Sequence, residues 1–345
     1  MTGAERPRGD SALVGPEPPI RPAVVELLPQ PGERPSARPP APWAWWVATL
    51  LFAASALTTT TLGAVLPVST RTDPASLPVA LLTPATVARV WGDPALRGRG
   101  LQFAAAVLAI LLAHELGHFL AARHYRLATT PPFFLPAPVG LGTFGAFIRI
   151  RGPIRSKREL FDVGVAGPLA GFAVLAPLLV AGVARSQPVP LPPAVAASEA
   201  TASVLVPGKC LAVELVARLV HGPLAPGTIL DFHPWALAAW FGLLATAINL
   251  LPLGQLDGGH LLYAVTGPLQ RRLALPLWLA LGLAGLWWTG WLVWCLIVLL
   301  MGLNHPPVRD ERTPIGAGRT ALAVVALVLF ALAFMPVPLS EVLLG

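Results

Sequence analysis

Repeated apolar runs constrain this chain more than any single motif does. Stretches from about Trp43 to Leu66, Leu101 to Ala122, Val163 to Ala184 and Pro234 to Leu251 reach or approach the length a helix needs to cross a membrane, roughly 20 residues for about 30 Å of hydrocarbon. Only 12% of the 345 residues are charged and 55% are hydrophobic, whereas a soluble domain carries about 25% charge. A longer run, Leu273 to Leu303, exceeds one ordinary span, and Trp287, Trp288, Gly290 and Trp291 at its middle predict two short helices meeting at an aromatic turn. A final run covers about Arg319 to Phe334. The fold expected is an all-α polytopic membrane protein of about seven spans.

The net charge of +7 does not point to nucleic acid, because the basic residues sit in short loops between apolar runs and not along one polar face. Arg123, Arg126, Arg149, Arg151, Arg155, Lys157 and Arg158 make the most basic connection. Excess Lys and Arg marks the cytoplasmic side, so this connection is expected there, in a bacterial cell membrane. Residues 1–42 mix Pro with both charge signs and are expected to form a disordered tail, with neither a secretory signal nor an acid-poor transit peptide. The first helix and its connection then cover 43–100, a core covers 101–267 and C-terminal helices cover 268–345. Cys210 and Cys295 are too few for a disulfide framework or a cysteine zinc site. A surface helix is expected near Leu211 to Val220, and Gly167-x-x-x-Gly171 reads as a helix-packing groove. Gly140-x-Gly142-x-x-Gly145 has dinucleotide-fingerprint spacing, but no strand leading into a helix surrounds it.

Chemistry enters at His114-Glu115-Leu116-Gly117-His118, inside the second apolar run. Positions four apart share a helix face, so His114 and His118 set two imidazoles side by side with Glu115 beside them. Two neutral imidazoles suit zinc, and an adjacent unligated carboxylate can take a proton from water. Such groups are costly within a bilayer and are retained chiefly for function. A hydrolytic zinc site needs a third protein ligand. The candidates are His124, His221, His233, His260, His305 and Asp257. Span parity favours Asp257: it follows the fourth run, on the same side of the membrane and at the same depth as His118.

His114-Glu-Leu-Gly-His118 in one span, Asn249-x-x-Pro252-x-x-x-Leu256-Asp257-Gly258-Gly259 after a later one, Gly142-Thr-Phe-Gly-Ala-Phe147 and Val165-Ala-Gly-Pro-Leu-Ala-Gly171 together resemble the site-2 protease family of intramembrane zinc metalloproteases, peptidase family M50. The likeness extends from about Leu101 to Gly267 and is to the branch of the plastid ethylene-dependent gravitropism-deficient and yellow-green proteins. It implies a Zn2+ cofactor held by His114, His118 and Asp257, Glu115 as catalytic acid/base, and Asn249 near the scissile peptide or its oxyanion. It implies a partner too: a membrane-protein substrate with a transmembrane segment, in a lipid bilayer. The connection from Arg185 to His233 is too short for the PDZ domain of some branches, and no regulatory domain is expected after Pro336. The Thr129 to Ile150 segment is expected as a re-entrant loop or β-hairpin beside the zinc. Within it Gly142, Phe144 and Gly145 are expected to offer an edge to an unwound substrate, while plain helix packing by that hairpin is the competing expectation. Other readings of the motif are a prenyl-protein-type membrane metallopeptidase with a glutamate as third ligand, a metal transporter, and a zinc-binding scaffold or chaperone without turnover. The sequence specifies no oligomeric state.

Overall fold

A computed structural model describes residues 40–66, 80–190 and 202–344. The expected tail lies almost wholly outside these residues. The elements, in chain order, begin with α1 (Pro42–Gly63), α2 (Pro84–Gly92), α3 (Pro94–His124), β1 (Ala128–Thr129), β2 (Phe133–Pro136), β3 (Thr143–Phe147), β4 (Ile150–Arg151) and α4 (Lys157–Val183). They continue with β5 (Gln187–Pro190), β6 (Ala202–Pro207), α5 (Leu211–His221), β7 (Thr228–Asp231), α6 (Pro234–Asn249), α7 (Asp257–Thr266), α8 (Leu269–Ala284), α9 (Gly290–Met301), α10 (Ala317–Ala333) and β8 (Leu339–Leu344). Helices dominate. The strands form four two-stranded antiparallel ladders, β1 with β4, β2 with β3, β5 with β7, and β6 with β8.

Among the described residues, three helices are long and apolar enough to cross a membrane, α1, α3 and α4, and α6, α9 and α10 are shorter apolar helices. The helix starts follow local chemistry. Asp93 caps α3 by accepting from the amides of Ala95 at 2.8 Å and Leu96 at 3.4 Å, with Pro94 in the first turn, where its missing N–H costs nothing. Ser156 caps α4 by accepting from the Glu159 amide at 3.2 Å, while the Glu159 carboxylate accepts from the Arg155 amide at 2.9 Å. The predicted pair of short helices in the 273–303 run is α8 and α9, and the predicted surface helix is α5.

α3 is the hub, packing against α4, α6 and α1. Ile110, Leu175, Leu179, Trp240 and Leu243 fill one buried cluster, and Leu160, Phe161, Leu261, Tyr263 and Leu329 fill another under α7 and α10. Leu50, Leu57, Leu283, Leu296, Leu300, Leu327 and Val328 lie exposed on the helices, the apolar exterior that lipid contact requires.

Of the tryptophans at the aromatic turn, Trp287 is exposed, whereas Trp291 is fully buried, stacks on Phe334 and donates Nε1–H to the Pro336 carbonyl at 2.8 Å. Its N–H finds a partner from a distant segment, a pairing invisible to hydropathy. Asp162 of α4 accepts from Arg319 on α10 in a two-pronged pair with both N···O distances at 2.7 Å, and accepts from the Tyr125 hydroxyl at the end of α3. This cluster ties α3, α4 and α10 together. Its side chains are 30% and 26% exposed, so solvent screening trims a charged hydrogen-bond contribution to about 2 kcal/mol. Arg319→Ala is expected to lower stability by that amount in thermal unfolding in detergent, and an unchanged midpoint would contradict the assignment.

Candidate metal centre

His114 and His118 project from one face of α3, and Asp257 is the first residue of α7. His114 Nε2 and His118 Nε2 are 3.0 Å apart, and each is 3.3 Å from Asp257 Oδ2. Both histidines are buried, and Asp257 is nearly so. The edge of a tetrahedron around a zinc ion with ligand bonds of about 2.05 Å is about 3.3 Å, so these three atoms have the spacing of one tetrahedral face. Among the described residues this is the group of His, Cys, Asp or Glu side chains arranged to hold a metal ion. The first hydrogen-bonded helical turn after Pro252 was not expected: two glycines, Gly258 and Gly259, weaken helix propensity, yet α7 forms because both are pressed against backbone carbonyls of residues 250–254, where a side chain would not fit.

A groove on α4 makes room for the site. An added Cβ at Gly167 would strike the His118 imidazole, one at Gly171 would meet His114 Cβ at 3.2 Å, and one at Gly164 would meet His260 Cβ at 3.1 Å. Gly117 of α3 packs equally closely on the Ala166 carbonyl. The expected packing groove is therefore present, and what it packs against is the metal centre itself. His118 Nδ1 lies 2.8 Å from the Val163 carbonyl of α4; donating there leaves Nε2 unprotonated and facing the other two donors, the outer-sphere arrangement usual for a ligating histidine.

Glu115 is buried beside this triangle, its carboxylate flanked by His118, Asp257 and the backbone amide of Ile148. Ile148 immediately follows β3, so the hairpin ends at the carboxylate. Asn249, the last residue of α6, brings Nδ2 to 3.2 Å from His114 Nε2. The three residues expected to meet a substrate separate. Gly142 (φ 81°) is buried against α1, where the Thr58 hydroxyl donates to its carbonyl at 2.6 Å and a Cβ would collide with the Thr58 and Thr59 backbone. Phe144 is 70% exposed, and Gly145 (φ 102°) has open space where a Cβ would point. The hairpin holding Gly140, Gly142 and Gly145 leads into no helix, in keeping with setting the dinucleotide reading aside. Sequence reasoning missed His305. Weighed above only as a possible third ligand, it is 4% exposed and its Nε2 lies 2.8 Å from His260 Nδ1.

An apolar helical scaffold holding a His-x-x-x-His pair, an aspartate from a later helix and an adjoining glutamate has the make-up of a candidate membrane metallopeptidase centre. The peptidase family M50 model matches residues 102–284, more than half of the chain, and the chain belongs to that family. It is 35% identical over 243 residues to probable zinc metalloprotease EGY1, chloroplastic, of Arabidopsis thaliana, covering 69% of this chain and 43% of that protein. It is 33% identical over 310 residues to the Oryza sativa subsp. japonica protein of the same name, covering 85% and 51%. Identity to Arabidopsis EGY2 is 31% over 244 residues, covering 70% and 42%. The chain thus spans about half the length of these curated relatives. No solved structure matches. These zinc metalloproteases bear out zinc as the cofactor, and the His-His-Asp donors suit that ion.

The relatives also correct one expectation. They are chloroplastic proteins, which points to a plastid membrane and overturns the bacterial cell membrane, together with the naming of the basic side as cytoplasmic. The physical reason is plain: loop charge orients a chain relative to a bilayer and carries no information about which bilayer it is.

Proposed function

We propose that this chain is an intramembrane zinc metalloendopeptidase that cuts a peptide bond within or near a transmembrane segment of another membrane protein. The observation that carries this reading is the convergence of His114, His118 and Asp257 Oδ2 within 3.3 Å, beside a buried Glu115, inside an apolar helix. His114, His118 and Asp257 hold the zinc. When bound, that ion acts as a Lewis acid toward the scissile carbonyl and makes water nucleophilic near neutral pH. Glu115 takes the proton of the attacking water and delivers it to the amide nitrogen as the C–N bond breaks, so the products are a carboxylate and an amine. Asn249 orients the scissile carbonyl, its amide donating where negative charge gathers. We further infer that α1, α3, α4, α6, α8, α9 and α10 lie in the bilayer, seven spans in all.

A helix hides its carbonyls in its own hydrogen bonds, so the substrate must unwind first. Phe144 is exposed and Gly145 has open space beside it on β3, whose hairpin ends at Glu115, and we infer that an unwound segment docks along this strand, displacing the Thr143 hydroxyl from the Gly145 backbone, and runs toward the carboxylate. Gly142, buried against α1, serves instead to seat the hairpin. The prenyl-protein-type alternative needs a glutamate as third ligand, and the approach of the Asp257 carboxylate to both histidines favours the reading proposed here.

The test is metal removal. The purified protein should contain about one zinc per chain; a chelator should abolish its cleavage of reconstituted single-span peptides, and zinc should restore it. A folded protein that takes up no zinc, or that cleaves equally well without it, would overturn the reading.

A further inference from the structure

The segment following α9 lies beyond the stretch that matches the family model, yet it grips the helix bearing the third candidate ligand. His305 Nδ1 lies 2.6 Å from the Pro306 carbonyl, to which it donates. Burial holds this imidazole below its usual value, so it is neutral at pH 7 and its Nε2 accepts. His260 Nδ1, 2.8 Å away, therefore donates to it. One turn further along α7, the Tyr263 ring stacks on His305 with centroids 4.5 Å apart, and the Tyr263 hydroxyl donates to Glu311. Gln270, fully buried, donates to the Leu303 carbonyl at 3.2 Å and accepts from the His305 amide at 3.1 Å. The same segment reaches α4, where the Lys157 amide donates to the Asp310 carbonyl at 3.4 Å and the Arg158 side chain donates to the Pro314 carbonyl at 2.9 Å.

This grip matters because α7 is a weak helix where it is most needed. Asp257 is its first residue, and Gly258 and Gly259, poor helix formers, follow it. His260 shares the helix face of Asp257 three residues on, and its Cβ rests on α4 near Gly164. A fixed His260 sets the rotation of the first turn about the helix axis, and with it the direction in which Asp257 points. We propose that His305 is a positioning residue for the zinc centre: acting through His260, it holds the first turn of α7 so that Asp257 faces His114 and His118.

The inference rests on the metal-site reading above, and the experiment separates the two. Full-length protein in detergent is loaded with Co2+ in place of zinc, its visible absorption is recorded, and zinc affinity is measured by competition with a chromophoric chelator. His305→Ala should weaken zinc binding about 10- to 100-fold and shift the cobalt bands, whereas His305→Gln, whose amide oxygen can still accept from His260, should recover most of both. An unchanged spectrum and affinity in His305→Ala, or a His305→Gln variant as impaired as the alanine one, would overturn the proposal. Should His305→Ala fail to fold, Glu311→Ala loosens the same grip from its half-buried end at Tyr263; a smaller loss of affinity with a shifted spectrum supports the proposal, and native values for both overturn it. Failure of the native protein to bind Co2+ or zinc would overturn the metal site itself.

Discussion

Glu115→Gln is expected to reduce cleavage by about 10²- to 10⁴-fold, the range general acid/base catalysis supplies, while zinc content stays at the native level. Glutamine has nearly the shape of glutamate, and Glu115 belongs to none of the three donor–donor contacts that define the metal triangle. The Ile148 amide loses its carboxylate partner but can still meet the side-chain carbonyl of Gln. What disappears is a group able to accept a proton from water and return it to nitrogen. Zinc analysis alongside initial cleavage rates measures both effects, and a variant that cleaves as the native protein does would remove Glu115 from the chemistry.

Gly167→Ala is expected to be nearly as damaging by a different route, through metal loss. Its added methyl would occupy the space of the His118 imidazole, which cannot retreat freely because Nδ1 is held 2.8 Å from the Val163 carbonyl on the same helix. Either α4 moves off α3 or the imidazole turns out of the donor triangle. Overpacking of this kind costs about 1–3 kcal/mol, and disturbing a ligand's outer support costs about 10- to 100-fold in metal affinity. Gly171→Ala should be milder, since its methyl would meet His114 Cβ at 3.2 Å, where a shift of a few tenths of an ångström suffices. Gly318→Ala, with nothing within 4 Å, is the control. Zinc competition and thermal unfolding across the three variants test this order, and native affinity in Gly167→Ala would contradict the groove's role.

Much of this architecture is legible in the sequence because hydropathy acts locally. The helices α1, α3, α4, α6, α8, α9 and α10 follow from apolar run length, and the break between α8 and α9 from the tryptophan-rich turn. His114, Glu115 and His118 are legible because four-residue spacing in a helix is a geometric statement. Asp257 can be nominated by span parity, which carries only side and depth; the 3.3 Å approach to both histidines is a tertiary fact.

The unread features share one physical cause, pairing between distant segments. α7 begins with two glycines and reads as a loop until their fit against the 250–254 carbonyls is known. Gly167 and Gly171 announce close helix packing but not that the neighbours are His118 and His114. His305 carries no local signal at all, since its meaning comes from His260, forty-five positions away. A histidine between two apolar runs, flanked by Pro306 and Pro307, reads as a surface group until burial says otherwise.

The central claim, that the donor triangle and Glu115 form a protease acting on membrane-spanning peptides, is tested most directly by mapping products. Native protein and Glu115→Gln are reconstituted in vesicles with single-span peptides that carry a helix-breaking residue, and the peptide termini are identified by mass spectrometry. The account predicts new termini within or at the edge of the span for the native protein and intact peptide for the variant. Native protein carrying its full zinc and leaving every such peptide uncut, or identical products from both proteins, would contradict it.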